Sequence, residues 1–148
     1  MKCLPYNAVD IAKYVINKSI QIGHHISNIQ LQFYLYTIQV EHIRKHGICA
    51  FMDRIEVWDM GPVVTSVYAK YRHYGACPIP GYPQSYTIAN HDLLETVDEV
   101  CERYAGKIAF SLVTEVHDEN TPYSVARKAG MWHVNCNLIE EVLKRSET

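Results

Sequence analysis

Residues 27–47 form the longest stretch of helical periodicity in the chain, and this stretch constrains the fold more than any other. Ser27 is a good N-cap, because its hydroxyl can accept a hydrogen bond from a backbone N–H of the first turn. A stripe of residues three and four positions apart follows, formed by Leu31, Tyr34, Leu35, Ile38 and His42. Gly47 ends the pattern. The sequence therefore predicts a long helix with one inward-facing stripe.

Six other segments also carry helix signals. They lie at residues 7–23, 62–75, 90–106, 108–117, 121–130 and 137–148. Pro62 is expected to open the second of these as an N1 proline, and Asn137–Glu140 resembles a capping box for the last. Arg54–Trp58 alternates with period two, so we expect a strand there, with Ser85–Ala89 as its returning partner. The prediction is a mainly α, single compact domain, residues 1–148, with six or seven helices and at most a small two-stranded β-hairpin.

Composition excludes several classes of protein. The chain has 148 residues, of which 48% are apolar and 20% charged, which suits one folded domain. Its formal net charge of −2 supplies no bulk positive field, so we expect no nucleic-acid partner. No apolar run approaches the ~20 residues of a membrane helix, and no block of signal-peptide length begins the sequence. We therefore expect a cytoplasmic protein without a membrane partner.

The five cysteines are odd in number and widely spaced, and no two form a CxxC pair. A chain of this size can build its own core without disulfides. We therefore expect all five thiols to be reduced, as in a cytosolic protein.

Metal and catalytic motifs are weak. His42 and His46 are four residues apart on one helix, but Ile43 stands where the zinc motif HExxH needs glutamate. His133 and Cys136 form only an isolated HxxC pair. We expect no metal, no cofactor and no small-molecule ligand.

The sequence also lacks the GxSxG, Walker A and GxGxxG motifs. Glu115 and His117 are two residues apart on a predicted helix and would point in different directions. We therefore expect no enzyme activity, and a thiol-dependent enzyme is the weakest of the alternatives.

Four stretches, taken in order, resemble the Panacea domain family, the phage-associated antitoxin domain of SocA- and GepA-type proteins. Residues 6–12 resemble its opening helix, and residues 26–36 (ISNIQLQFYLY) resemble its ISNLKLQKLLYF helix. Residues 55–68 resemble its EAWxxGPVxxxVY signature, and residues 121–126 resemble its late TPW helix. The chain departs from the family at Phe33-Tyr34 and at Tyr123, where Lys-Leu and Trp are usual. We expect the first change to add aromatic surface on a helix that faces a partner.

This resemblance implies a binding function and no catalytic residues. Panacea proteins are the neutralising half of toxin–antitoxin pairs and are carried by phages and mobile elements. The resemblance therefore predicts a protein-binding module that neutralises a partner toxin in a bacterial cytoplasm. A phage-encoded inhibitor of a host defence protein, such as an anti-CRISPR, is the alternative, because fold alone does not determine function.

Tyrosine is unusually frequent, with eleven residues, and it suits surfaces that a partner covers. We predict that the partner binds an aromatic surface after the Gly61-Pro62 break, formed by Tyr68, Arg72, Tyr74, Tyr82 and Tyr86. Phe33 and Tyr36 are the alternative surface. Another set of residues is expected to be structural and consists of Leu31, Leu35, Trp58, Gly61, Pro62, Val63 and Pro122.

Overall fold

The computed structural model describes residues 1–146, and its centre is the predicted long helix, α2 (Asn28–His46). Ser27 and Gln30 form a capping box at its start, and Gly47 ends it in a left-handed conformation. Every residue from 31 to 40 is buried. The prediction of a single inward stripe is therefore wrong, because other elements pack against all sides of this helix.

Seven α-helices, one 3₁₀ turn and four short strands make up the described residues, which confirms the mainly α fold. In addition to α2, the helices are α1 (Ala8–Ile22), α3 (Thr65–Tyr71), α4 (His91–Tyr104), α5 (Ala109–Val116), α6 (Pro122–Lys128) and α7 (Cys136–Ser146). The strands are β1 (Cys3–Tyr6), β2 (Cys49–Phe51), β3 (Ile55–Trp58) and β4 (Gly61–Val64), and the 3₁₀ turn is Arg72–Tyr74.

The strands form two small sheets. β1 pairs with β2 in parallel, and β3 pairs with β4 as an antiparallel hairpin in which Trp58 lies opposite Gly61. Residues 132–134 lie along the outer edge of β3 and hydrogen-bond to its backbone. The N–H of Val57 donates to Trp132 O at 2.8 Å, and the N–H of Val134 donates to Ile55 O at the same distance.

Three boundaries differ from the sequence predictions. Ser85–Ala89 is not a strand, and the strand that pairs with β3 is β4. Pro62 lies in β4 and does not open a helix. The N–H of its partner Val57 points to the other edge of β3, so this pair exchanges no hydrogen bonds and proline loses none. The last helix begins at Cys136, and Asn135 caps it by accepting a bond from the Leu138 N–H.

Buried amide side chains of α2 bind the backbone of the surrounding elements. Gln32 accepts a hydrogen bond from the Val64 N–H at 2.9 Å and donates to Asn28 at 2.9 Å. Asn28 in turn donates to Tyr68 O at 3.1 Å. The end of β4 and the first turn of α3 are therefore attached to α2 through side chains.

Gln39 performs the same task for β2. Its Oε1 accepts from the Ala50 N–H at 2.7 Å, and its Nε2 donates to Phe51 O at 2.8 Å. The side-chain amide therefore satisfies two backbone groups of β2 on the side facing α2.

The structure corrects the prediction that all cysteines are reduced. Cys49 and Cys136 form a disulfide with a Cα–Cα distance of 6.5 Å and a sequence separation of 87 residues. Cys3, Cys77 and Cys101 are free thiols. The prediction failed because the fold joins the start of β2 to the start of α7, and no spacing in the sequence indicates that contact.

Gly61 is required by both backbone conformation and space. Its φ is +152°, and a Cβ at this position would lie 2.5 Å from Cε1 of the Phe33 ring. We expect Gly61→Ala to lower the free energy of unfolding by about 2–4 kcal/mol, because it adds backbone strain to overpacking. Urea unfolding measures this loss.

Gly130→Ala is the matched control. Gly130 also has positive φ, at +73°, but a Cβ added there would meet no neighbouring atom within 4 Å. We expect a loss of about 1 kcal/mol there from strain alone. Equal losses in the two variants would show that the Phe33 contact does not matter.

His42 makes stability depend on pH. It is 1% exposed, and its Nδ1 lies 3.3 Å from the Thr96 hydroxyl. Burial, assisted by the neighbouring His46 ring, lowers the pKa of His42 to about 4 from an ordinary value of 6.5. In the unfolded chain His42 therefore binds a proton below pH 6.5, whereas in the folded chain it stays neutral down to about pH 4. The stability present above the ordinary pKa is lost as the pH falls through this window.

We expect the chain to lose about 2–3 kcal/mol of stability through this group between about pH 7 and about pH 4. Urea unfolding at a series of pH values measures the loss. His42→Gln should flatten this part of the pH profile, whereas the exposed His25→Gln should leave it unchanged. A His42→Gln profile identical to that of the wild type would contradict the assignment.

Candidate protein-binding surface

Tyr82 and Tyr86 meet beside α1. Their rings are nearly perpendicular with centroids 5.3 Å apart, and the Lys13 ammonium lies 5.7 Å and 5.2 Å from the two ring centroids. Asn17 holds the loop that precedes α4 to α1, because its Oδ1 accepts from the Tyr82 N–H and its Nδ2 donates to Gln84 O. The rings line a groove of about 380 Å³ between the loop and α1. We call Lys13, Tyr82 and Tyr86 the tyrosine groove.

Tyr68 lies on a different part of the surface, against the hairpin. Its ring packs edge-on against Trp58 at 5.0 Å. Trp58 donates through Nε1 to Glu56, whose other carboxylate oxygen lies 3.4 Å from Arg54 Nε. The Arg54 guanidinium lies 5.0 Å from the centre of the Trp132 ring. These five side chains form a continuous row that we call the aromatic ridge.

The ridge follows from the alternation of β3. Glu56 and Trp58 are two residues apart on β3 and therefore share one face of the strand, and Arg54, which directly precedes β3, continues the same spacing. Trp132 reaches the same face because residues 132–134 lie along the outer edge of β3. Trp132 is 57% exposed, which makes it one of the few large apolar side chains on the described surface. The predicted binding surface did not include Trp132, because the edge pairing that places it beside Arg54 forms only in the folded chain.

α3 and the following 3₁₀ turn lie between the ridge and the groove. Arg72 is exposed and lies one helical turn after Tyr68. Tyr74 is half-buried, packs against the core and stacks with the adjacent His73 at 4.0 Å. Tyr71 is buried and its hydroxyl contacts the Tyr82 hydroxyl at 2.7 Å, which joins α3 to the loop of the groove.

The alternative prediction, a binding surface at Phe33 and Tyr36, is wrong. Phe33 is 1% exposed and Tyr36 is 4% exposed. Phe33 fills the space beside Gly61, and Tyr36 accepts a hydrogen bond from the Tyr123 N–H. Neither ring is available to a partner, and the aromatic pair at Phe33-Tyr34 adds to the core instead of the surface.

The residues predicted to be structural have little exposed surface. Trp58 is half-buried, and the others are buried: Leu31, Leu35, Gly61, Pro62, Val63 and Pro122. Tyr123 links α6 to the hairpin turn, because its hydroxyl donates to Trp58 O. Arg127 also reaches the turn, with an ion pair to Asp59 at 3.6 Å. The segments around residues 55–64 and 121–126 therefore meet in space.

No arrangement of catalytic groups emerges around Glu115 and His117. Glu115 accepts a hydrogen bond from the Tyr104 hydroxyl and lies 3.6 Å from Lys107. His117 instead places Nε2 3.2 Å from Asp59 O, at the hairpin turn. The two side chains thus serve different contacts and form no acid–base pair.

The two weak metal motifs of the sequence, His42 with His46 and His133 with Cys136, do not combine into one site. The His42 and His46 rings lie 4.7 Å apart, while Cys136 is bonded to Cys49 and the Nδ1 of His133 is buried without a hydrogen bond. Among residues 1–146, no three His, Cys, Asp or Glu side chains are grouped so that they could hold a metal ion.

Within the same residues, no helix combines the length and the apolar character needed to cross a membrane.

The comparison with protein families agrees with the motifs that meet at the hairpin. The family model described as antitoxin SocA-like, Panacea domain, matches residues 31–122, which is more than half of the chain. No curated protein and no solved structure matches. The matched range includes most of α2, the hairpin, α3 and the start of α6. This chain therefore belongs to the SocA-like antitoxin family and carries its Panacea domain.

Proposed function

We propose that this chain is a non-catalytic antitoxin, acting as one Panacea domain, that neutralises a toxin protein by binding it directly in the cytoplasm of a bacterium. Membership of an antitoxin family carries the proposal. The surface supports it, because Trp, Tyr and Arg are the residues that most often dominate binding energy at protein interfaces. The net charge of −2 favours a protein partner over nucleic acid.

The proposed binding surface begins at the aromatic ridge, which includes Tyr68, continues over Arg72 in the turn after α3, and ends at the tyrosine groove. Trp132 and Arg72 are exposed, so a partner can bury them without displacing other side chains. The ridge is also pre-organised, since its side chains already contact one another in the free chain. Pre-organisation lowers the entropy that binding would otherwise lose. Tyr74 contributes from the rim, because it is half-buried.

The first experiment tests the function. Each reading frame that flanks this gene in its native genome is expressed in a bacterial host, with and without this chain. We expect one product to arrest growth, the chain to relieve the arrest, and the two proteins to copurify. Relief of the arrest without a stable complex would contradict direct neutralisation. If no neighbour is toxic and the purified complex contains a host defence protein, the inhibitor alternative replaces the antitoxin.

The second experiment tests the surface. We expect Trp132→Ala, Arg72→Ala and Tyr86→Ala each to weaken binding of that toxin by at least about tenfold, because each removes an interface side chain worth about 1.4 kcal/mol or more. Calorimetric titration measures the affinity, and thermal melting checks that each variant is folded.

Phe110→Ala is the matched control for that series. Phe110 is 75% exposed and lies on α5, a helix that contributes no residue to the ridge or the groove. We expect this variant to bind the toxin as the wild type does. Wild-type affinity in all three surface variants would place the interface elsewhere, and a loss in Phe110→Ala would move it to α5.

A further inference from the structure

Cys49 and Cys136 link β2 to α7, two elements that are not joined by backbone hydrogen bonds of a sheet. Cys49 is the first residue of β2 and is 4% exposed, whereas Cys136 is the first residue of α7 and is half-buried. Their Cα atoms lie 6.5 Å apart, which is within the range that a disulfide spans without movement of the backbone. The two thiols can therefore form and break this bond in the folded chain.

The surroundings of the two sulfurs differ. The Cys136 sulfur accepts a hydrogen bond from Gln39 Nε2 at 3.5 Å and lies at the start of α7, where helix N–H groups stabilise a thiolate. Cys49 is enclosed, and its sulfur lies 3.3 Å from the Met1 thioether. A reagent in solution therefore reaches Cys136 first, and Cys49 reacts only with its neighbour.

We infer that Cys49 and Cys136 are a reversible thiol–disulfide pair that exchanges with glutathione and clamps α7 to β2 when oxidised. In the oxidising direction the Cys136 thiolate attacks one sulfur of glutathione disulfide, and a glutathione thiolate leaves. The Cys49 thiolate then attacks the Cys136 sulfur and releases the second glutathione thiolate. The two protein thiols lose two electrons and two protons in total, and two glutathione thiols are formed.

The clamp acts on the edge of the hairpin as well as on α7. Residues 132–134, which pair with β3, lie just before Cys136 in the chain. The bond closes a loop across a sequence separation of 87 residues in the unfolded chain, which stabilises the folded state. Oxidation should therefore raise the melting temperature and slow amide hydrogen exchange at Val57 and Val134, whose N–H groups bind across this edge.

The full chain is reduced, then equilibrated in buffers that span the ratio of glutathione to glutathione disulfide, and its thiols are mapped by maleimide labelling and mass spectrometry. We expect Cys49 and Cys136 to lose reactivity together and to recover it together on reduction. The oxidised form should melt several degrees higher and exchange Val57 and Val134 more slowly. A pair that stays reduced at every ratio, or that cannot be reduced in the folded chain, would overturn the inference.

Single substitutions test the order of attack. Cys49→Ala should accumulate one glutathione on Cys136, whereas Cys136→Ser should leave Cys49 unmodified. The exposed Cys77→Ser is the matched control and should keep the wild-type transition. Cys3 lies opposite Cys49 in the β1–β2 pair, so a Cys3–Cys49 bond in the wild type would refute the assignment. The wild-type titration decides the question even if a variant does not fold.

Discussion

The fold depends on hydrogen bonds made by buried polar side chains of α2. Neighbouring elements enclose this helix on every side. A helix in this position normally carries apolar residues all round, because buried polar groups lose their contacts with water. Here Gln32 and Gln39 are buried, yet each amide binds backbone groups of a neighbouring element. The neighbours are short pieces such as β2 and β4, which cannot satisfy their own backbone groups by pairing with long strands. Side chains of α2 therefore supply the hydrogen-bond partners for these backbone groups.

The hairpin depends on α2 in a second way. Gly61 lets the Phe33 ring approach the backbone, and Gln32 holds the last residue of β4 a few residues later. From the other side, the Tyr123 hydroxyl binds Trp58 O. The hairpin turn is thus held between α2 and α6. This arrangement explains why the glycine–proline signature and the late helix motif occur together in one domain: each supplies one side of the same support.

The positions of the helices were predictable from the sequence, because capping residues and terminal glycines are local signals. Four of the helix caps are side chains suited to that role: Asn7, Ser27, Asn90 and Thr121. Strand pairing was not predictable, because residues 132–134 and β4 join β3 as short pieces with little periodicity to detect. The disulfide was missed for a related reason, since its two cysteines become neighbours only through tertiary packing across 87 positions. For the candidate surface, tyrosine enrichment at interfaces identified part of the set, whereas the rest of the ridge is assembled only by the geometry of β3.

Among the eleven tyrosines, two groups have clearly different physical roles. Burial raises the pKa of Tyr34 and Tyr104 to about 12, so both hydroxyls stay protonated and serve the interior. Tyr104, for example, contacts Thr37 and donates to Glu115. The tyrosines of the ridge and groove also pack against aromatic rings, but they keep part of their surface exposed. Tyrosine frequency alone therefore overstates the binding surface, and the rings that pack on the hairpin tryptophan and beside the α1 lysine are the part of it that a protein partner can reach.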